Sequence, residues 1–473
     1  MRPLVQAVAF CALATAVMSA CAGNQHYTPV ELDHPRSATV FSSRRLDDAG
    51  LLAFLKVHGA QSIGAGWDAR QLALVALYNR PDLQVGRATV GVARAAEITA
   101  GAGPTSSVQA TVERASRVEE GKSSPWTVSL TGGLTLETGG KRAARIDRAK
   151  AATLASTLKL QADAWRVAAE AQTATVAAVA AERDLAAAGA IVVEEREVVA
   201  LIRARYVAGE ISATDLSRAT TEFQNVMVEE TAATQVRADA RIALSRTLSI
   251  PYSQLAALPL RPEMPDHCTS LGAAPSDSLL ALALNQRYDL GASLAEYAGA
   301  EADLRLAMAQ QYPDVTIGPG LAWDQGITRW IISAGLQGIP AQRNRGPIAE
   351  ADARRRLQVA NASLAQQRVV VSVDSAIAAC QSVGRSLAAA NSLVLATERE
   401  LDREQAAYER GETGKAEVAL TRLALARARR VRAQTIARHA IAGMSLESAL
   451  GAWVGSTTIT WPDVTAQPGS TND

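Results

Sequence analysis

The side chains that could do chemistry in this sequence are few and scattered. Five histidines stand at 26, 34, 58, 267 and 439, and four cysteines at 11, 21, 268 and 380. None is spaced as metal ligands are, at short fixed intervals, so no metal site is expected. Cys268 and Cys380 could pair, but two isolated thiols so far apart read more naturally as free. There is no Gly-rich phosphate loop, nucleophile elbow or zinc signature. Gly132-Gly133 and Gly139-Gly140 read as strand bends and close backbone approaches rather than nucleotide contacts. The charged runs Glu194-Glu195-Arg196-Glu197 and Arg427 to Arg432 read as solvated helix faces. The expectation is no catalysis and no cofactor. A net charge of +1 gives no sign of a nucleic-acid partner.

One cysteine does carry a chemistry. Residues 1–20 have the layout of a secretory signal peptide: Arg2, an apolar run through Val17 and small residues before Cys21. Met18-Ser19-Ala20-Cys21 is similar to the processing box of bacterial lipoproteins, with Met18 where Leu is usual. Cys21 would then become the lipidated first residue of the mature chain. Ala22 in second place is similar to the outer-membrane sorting signature. Residues 21–45, polar and carrying Pro29 and Pro35, read as an extended, lipid-anchored tether. No other run reaches the roughly 18 apolar residues that a membrane-spanning helix needs, so further membrane contact must be made by strands.

Such a strand is written between Trp126 and Glu137. Trp126, Val128, Leu130, Leu134 and Leu136 share one face, and Thr127, Ser129, Thr131, Gly133, Thr135 and Glu137 the other. A period of two with one greasy and one polar face is a strand between two solvents, and about ten residues cross a bilayer when tilted. Ser107 to Val118 is a poorer strand with Val108, Ala110 and Val112 alternating, and Glu119 to Pro125 turns the chain back. The result is a β-hairpin over about 107–137. From Lys141 to Ala208 follow 68 residues with no Pro and one Gly, Gly189. That helix would run roughly 100 Å at 1.5 Å per residue, with Gly209 stopping it. Ser212, with Asp215 three residues on, caps the next helix, which reaches about Ser249. Before the hairpin, Leu46 to Ala60 is a short amphipathic helix and Asp68 to Gly101 a helix interrupted in pattern only at Arg80-Pro81. The helices over 68–101 and 212–249 together, 34 + 38 = 72 residues, nearly match the 68 of the long one. One long helix beside two short ones stacked end to end suggests a tube wall.

The pattern then repeats. Arg80-Pro81-Asp82-Leu83 is answered by Arg287-Tyr288-Asp289-Leu290 at an offset of 207 residues, and Tyr206 to Glu210 by Tyr408 to Glu412 at an offset of 202. Offsets this close imply a tandem duplication. The first repeat covers 46–260, a Pro-rich link 261–275, and the second repeat 276–455. In the second, Val315, Ile317, Leu321 and Trp323 alternate, then Trp330, Ile332, Ala334 and Leu336, giving a hairpin over about 314–338. A helix from Ile348 to Arg410 follows. The tail, 456–473, reads as disordered.

Four such strands cannot close a barrel, and an open edge cannot sit in lipid. The barrel must be shared between chains. Two chains would give eight strands and a filled interior, three would give twelve and leave a passage. Trp126, Trp323 and Trp330 at the hairpin tips fit an interfacial aromatic belt. Trp126, Val128, Leu130, Leu134, Leu136, Ile317, Trp323, Trp330 and Ile332 are expected to face lipid, and Thr127, Ser129 and Thr131 the lumen. The fold expected is mainly α with a transmembrane β-barrel: tandem long helical hairpins and two β-hairpins, assembled as a trimer with a 12-strand barrel and an α-helical tunnel.

The duplicated Arg-x-Asp-Leu segments, the hairpins feeding very long Ala-rich helices, Arg205-Tyr206-Val207-Ala208-Gly209-Glu210-Ile211-Ser212 with Asp215-Leu216, and the leader together resemble the outer-membrane efflux protein (TolC-like) family over about residues 46–455. Arg343-Asn344-Arg345-Gly346-Pro347-Ile348-Ala349-Glu350-Ala351 is similar to the strand-to-helix corner of its heavy-metal (cation) branch, with Gln342 where that branch has Asp. The resemblance implies a homotrimeric exit duct in the bacterial outer membrane, extending into the periplasm and passively conducting substrates from a tripartite, RND-type pump. Its partners would be itself, outer-membrane lipid, a periplasmic adaptor and an inner-membrane pump. It also implies that the far turns dock the adaptor and hold the tip closed: Arg205, Tyr206, Gly209, Glu210 and Asp215 in the first repeat, Tyr408, Arg410, Gly411 and Glu412 in the second. Two other readings are a channel of a type I protein secretion system and a periplasmic adaptor or structural helical-hairpin protein. Adaptors carry one helical hairpin and a β-rich remainder, whereas two hairpins and four membrane-type strands stand in tandem here.

Mass spectrometry of the mature N-terminal peptide is expected to find Cys21 acylated and first in the chain. Cleavage elsewhere, or an unmodified thiol, would refute this.

Overall fold

A computed structural model describes residue 29 and residues 34–60, 66–118, 120–261, 264–272, 274–338, 341–453 and 461–465. The signal peptide and Cys21 lie outside the described residues. The described residues up to Arg44 belong to a unit of their own, in which His34–Ser42 (α1) is a helix rather than the extended chain expected from the two prolines. Pro35 falls in its first turn, where a missing N–H is tolerated.

The second unit begins with Ala49–Val57 (α2), Ala69–Asn79 (α3) and Pro81–Gly101 (α4). What read as one helix from 68 to 101 is two, because Pro81 pushes Arg80 to an extended ψ of 122° and starts a new helix at its own position. Strands β1 (Ser107–Arg114) and β2 (Trp126–Leu136) lead into α5 (Lys141–Val207), and α6 (Ala213–Leu248) returns. After Tyr252–Leu255 (α7) and His267–Gly272 (α8), the order recurs: α9 (Ser276–Gln286), α10 (Tyr288–Ala309), β3 (Asp314–Asp324), β4 (Ile327–Gln337), α11 (Arg345–Glu409) and α12 (Lys415–Leu450). The long helices have 67 and 65 residues and the returning ones 36 each. In both halves the Arg-x-Asp-Leu segment does the same work. Arg80 forks onto Asp82 at 3.0 and 2.6 Å and Arg287 onto Asp289 at 2.9 and 2.6 Å, fixing the joint between two helices, while Leu83 and Leu290 are buried below.

The two hairpins join through β2 and β3 into one antiparallel sheet, ordered β1-β2-β3-β4. Beneath it the helices form a wall. On the sheet side its order is α4, α5, α10, α11; farther away it is α6, α5, α12, α11. Alanines at 144, 149, 155, 164, 168, 171, 178, 181 and 188 are buried along α5, letting neighbouring backbones approach closely. One apolar core gathers α2, α3 and the ends of α4 and α6 around Leu72, Leu83, Leu160 and Leu248. A second gathers α8 to α12 around Leu279, Val369, Val373 and Leu446. Residues 461–465 belong to the first core and not to a disordered tail. Val464 is 3% exposed, its carbonyl accepts from Arg87 Nε at 2.9 Å, and Trp461 packs on Trp165 and Trp453.

Cys268 and Cys380 are not free thiols. They form a disulfide, with 5.3 Å between Cα atoms and a sequence separation of 112. It ties α8, in the link between the halves, to the middle of α11. Closing so long a loop should stabilise the fold by about 3–5 kcal/mol, mainly by restricting the unfolded chain. Cys380→Ser should therefore lower the denaturant midpoint of the chain, and reduction should lower the parent's midpoint to the same value while leaving the variant's unchanged. Equal midpoints for parent and variant would mean that the bond contributes nothing.

Candidate functional site

The sheet has two unlike faces. The register aligns Val112, Val128, Trp323 and Thr328 in one row, Ala110, Leu130, Leu321 and Trp330 in the next, and Leu134 with Ile317 and Ala334 farther on. Each side chain expected to face lipid lies on this one apolar face. It is uncovered in the chain, with Trp330 and Ile332 each 84% exposed. A contiguous apolar surface of this extent requires a partner or a lipid. Thr127, Ser129 and Thr131 lie on the opposite face. Trp126, Trp323 and Trp330 gather at the loop end, where Arg114 stands 5.7 Å over the Trp126 ring. There Asp324 accepts from Lys122 at 2.8 Å and pairs with Arg329 at 3.0 Å, holding the β1–β2 loop against the β3–β4 turn.

At the other end of the sheet an ionic knot turns strands into helices. Lys141 Nζ donates to Asp314 at 2.8 Å, Thr138 N–H donates to the same carboxylate at 3.0 Å, and Arg145 pairs with Glu137. In the second half Arg343 and Asn344 both take positive φ, 50° and 58°, and Asn344 Nδ2 donates to the Ala307 carbonyl at 2.7 Å.

The long helices end in matching turns. Gly209 and Gly411 have φ of 77° and 75°, a region that favours glycine. Glu210 N–H donates to the Arg205 carbonyl and Gly209 N–H to that of Tyr206, both at 2.9 Å; Glu412 and Gly411 do the same to Ala407 and Tyr408. These are Schellman closures that satisfy the last carbonyls. Of the side chains singled out at this end, Arg205 alone joins the halves, reaching Glu210 and Glu417 at 3.3 Å each. Arg410 pairs with Glu412 in its own turn at 2.8 Å. Asp215 closes a capping box with Ser212, and those bonds hold its carboxyl below the usual range. It supports its own helix start instead of bridging to a neighbour. Tyr206 and Tyr408 are exposed.

The strongest ionic links between the halves lie farther along and were read from sequence as solvated. Glu195, 2% exposed, meets Arg427 at 3.3 Å, which also reaches Glu222 at 2.6 Å. Arg430 grips Asp184 at 2.9 and 3.1 Å and Glu229 at 2.7 Å. Acids come from α5 and α6, cations from α12. Burial pushes the Glu195 carboxyl up, whereas the Arg430 hydrogen bonds hold that of Asp184 down. The signal was present in the one-sign run of α12, but only packing shows that it faces an acidic hairpin. Among the described residues, no three His, Cys, Asp or Glu side chains form a metal-ligating group, and no helix is long and apolar enough to cross a membrane.

Long paired helices feeding a two-faced antiparallel sheet define a channel-type fold of the outer-membrane kind. The family model described as outer membrane efflux protein matches residues 72–249. No curated protein sequence matches the chain. Among solved structures, a membrane protein from Pseudomonas aeruginosa aligns at 22% identity and a TM-score of 0.66, covering 91% of this chain and 99% of that one. CusC aligns at 18% and 0.64, covering 91% and 100%, and the open state of the MtrE channel of Neisseria gonorrhoeae at 18% and 0.62, covering 82% and 90%. The chain therefore has the fold of these solved outer-membrane proteins, and residues 72–249 carry the likeness to the efflux protein family.

Leu130→Lys should cost roughly 2–4 kcal/mol of assembly free energy near a bilayer midplane, while Ser129→Lys should be tolerated. The yield of folded protein in outer-membrane fractions measures both, and equal defects would mean that the two faces do not meet different solvents.

Proposed function

We propose that the chain is the outer-membrane exit duct of a tripartite, RND-type efflux system, working as a homotrimer anchored by lipid at Cys21. One observation carries this: the sheet and the wall beneath it have open edges on the same two sides. β1, α4 and α6 bound one side, β4 and α11 the other. In lipid an unpaired strand edge leaves polar backbone without partners. Pairing β4 of one copy with β1 of the next satisfies it, and the same operation sets α11 against the neighbour's α4 and α6. Three copies give a twelve-stranded barrel wide enough for a passage. The exposed apolar residues Val85 and Val92 on α4, Val228 and Val236 on α6, and Leu357, Leu364 and Val371 on α11 lie on these edge helices and would be covered by the same operation.

The ends of α5 and α11 then form a ring of six glycine turns at the periplasmic end. There the adaptor docks, and charge pairs hold the tip closed. Exposed pairs are worth under about 1 kcal/mol each, so the exposed link between Arg205 and Glu417 yields to a partner that binds the open tip better. The deeper links from Arg427 and Arg430 keep α12 on its hairpin.

Purified from the outer membrane, the protein should run as a heat-modifiable trimer and conduct in a planar bilayer. Gly209→Val and Gly411→Val should abolish export while leaving trimer and insertion intact, and Arg205→Ala should raise conductance. Asp215→Ala, by the capping role found above, should destabilise the start of α6 more than it changes conductance. Normal export by both glycine variants, with parental conductance for Arg205→Ala, would show that the turns are helix ends only.

A further inference from the structure

The foot of the sheet, at the end away from its tryptophans, carries cations with no acids to meet. Arg142 and Arg343 stand at the same step in the two halves, six residues past Leu136 and Gln337, where β2 and β4 end (142 − 136 and 343 − 337), and Arg345 opens α11. Lys141 and Arg145 are spent on Asp314 and Glu137, acids of the polar face. Arg142 turns instead along the wall, where its Nε donates to the Gly101 carbonyl at the end of α4 at 2.8 Å. Arg142, Arg343 and Arg345 are exposed, and among the described residues none has a carboxylate within ion-pair reach. The next arginines away from the sheet are matched, Arg148 by Asp303, Arg305 by Asp147 and Arg354 by Glu350. Cations in the first turns of a helix oppose its dipole. Arg343 also holds a φ of 50°, a region unfavourable for residues other than glycine. Helix stability therefore does not account for these three side chains.

We propose that they form a docking collar for the anionic headgroups of phospholipids in the periplasmic leaflet. The level fits, because the exposed apolar face of the sheet ends just above, at Leu136 and Leu336. Tyr312, 60% exposed at the foot of β3, is a side chain of the kind that settles at a membrane–water boundary. The seam between copies fits as well. The closure argued above sets α11 against the α4 of the next copy, which brings Arg343 and Arg345 toward the Arg142 that reaches the end of that α4. Near its end α4 offers one carboxylate, Glu97, against the three cations. Like charges facing each other beside lipid repel more strongly than in water, and headgroup phosphates neutralise them. A guanidinium fork matches two phosphate oxygens, and Ile98, 80% exposed one turn before Gly101, gives the lipid an apolar wall. The inference rests on the reading that three sheets close a barrel in the outer membrane.

The full chain, reconstituted in nanodiscs of equimolar phosphatidylcholine and phosphatidylglycerol, tests it by native mass spectrometry of the lipids that stay bound. The parent trimer should retain phosphatidylglycerol in excess, and the excess should shrink as salt is raised. Arg142→Gln, Arg343→Gln and Arg345→Gln should each lower the enrichment about fivefold, as expected for one cation near an anionic surface. The corresponding lysine variants should keep most of it, which separates lost charge from a damaged fold. A trimer that keeps the two lipids equally, or a triple glutamine variant with the parent's enrichment, overturns the proposal. So does a loss of trimer on Glu97→Gln equal to that of the arginine variants in phosphatidylcholine alone, since the cations would then pair with that carboxylate across the seam. Protein that enters neither lipid mixture as a trimer would sink the barrel reading itself, and this inference with it.

Discussion

A sheet that enters lipid cannot leave its edge strands unpaired, because no water is there to take their amide and carbonyl groups. That constraint orders the rest of this molecule. The chain supplies four strands, with β1 and β4 at the edges, and among the described residues no further strand pairs with either. In the proposed barrel, closure comes from further copies, and whatever rotation joins the sheets must also join the helices below. Because α5 and α11 descend directly from β2 and β4, that barrel and its wall would share one symmetry. The ionic knot of Glu137, Lys141, Arg145 and Asp314 enforces this, since it fixes the angle at which strand passes into helix.

The duplication makes such a wall affordable in sequence. Each half has a continuous helix and two shorter ones that meet end to end at an Arg-Asp fork, and each fork is tied to the unbroken helix beside it, Arg80 to Glu170 of α5 and Arg287 to Ser372 of α11. A joint in one layer is splinted by an unbroken helix in the next. The halves are not equivalent in their chemistry, however. The first places acids on α5 and α6, and the second places arginines on α12, so the internal interface is charge-complementary where the repeats are otherwise alike.

Much of this was legible in the sequence because two periodicities are nearly uninterrupted. Alternation from Trp126 to Leu136 and from Val315 to Leu336 marked the strands and their faces. The Pro-free runs after Lys141 and after Pro347 marked the helices to within a few residues. What was hidden depends on contacts between distant segments. Nothing local tells that β2, ending at Leu136, pairs with β3, beginning at Asp314, across 177 residues of helix and link (314 − 136 − 1), or that Cys268 meets Cys380. Glu195 looks like any surface glutamate until α12 covers it. Trp461 and Val464 sit in a stretch whose composition suggests disorder, and only the groove around Trp165 and Arg87 gives them a place. Asp215 was correctly read as a cap and then also counted among bridging charges; one carboxylate engaged by Ser212 serves the first role.

The Cys268–Cys380 disulfide would have a consequence for how the chain matures on the proposed export route. Of the four cysteines, Cys11 lies in the leader and would leave with it, and a thioether at Cys21 would remove another thiol before folding begins. Two would then remain, so oxidation in the periplasm would have only one intramolecular product, and no shuffling of partners would be needed. Cys268 would nevertheless wait while 112 further residues crossed the inner membrane before its partner arrived. During that interval it would be the exposed thiol of an unfinished protein, open to mixed disulfides with neighbouring chains. Sealing it in place beneath α12, beside the His439 carbonyl, marks the moment at which the second half has folded.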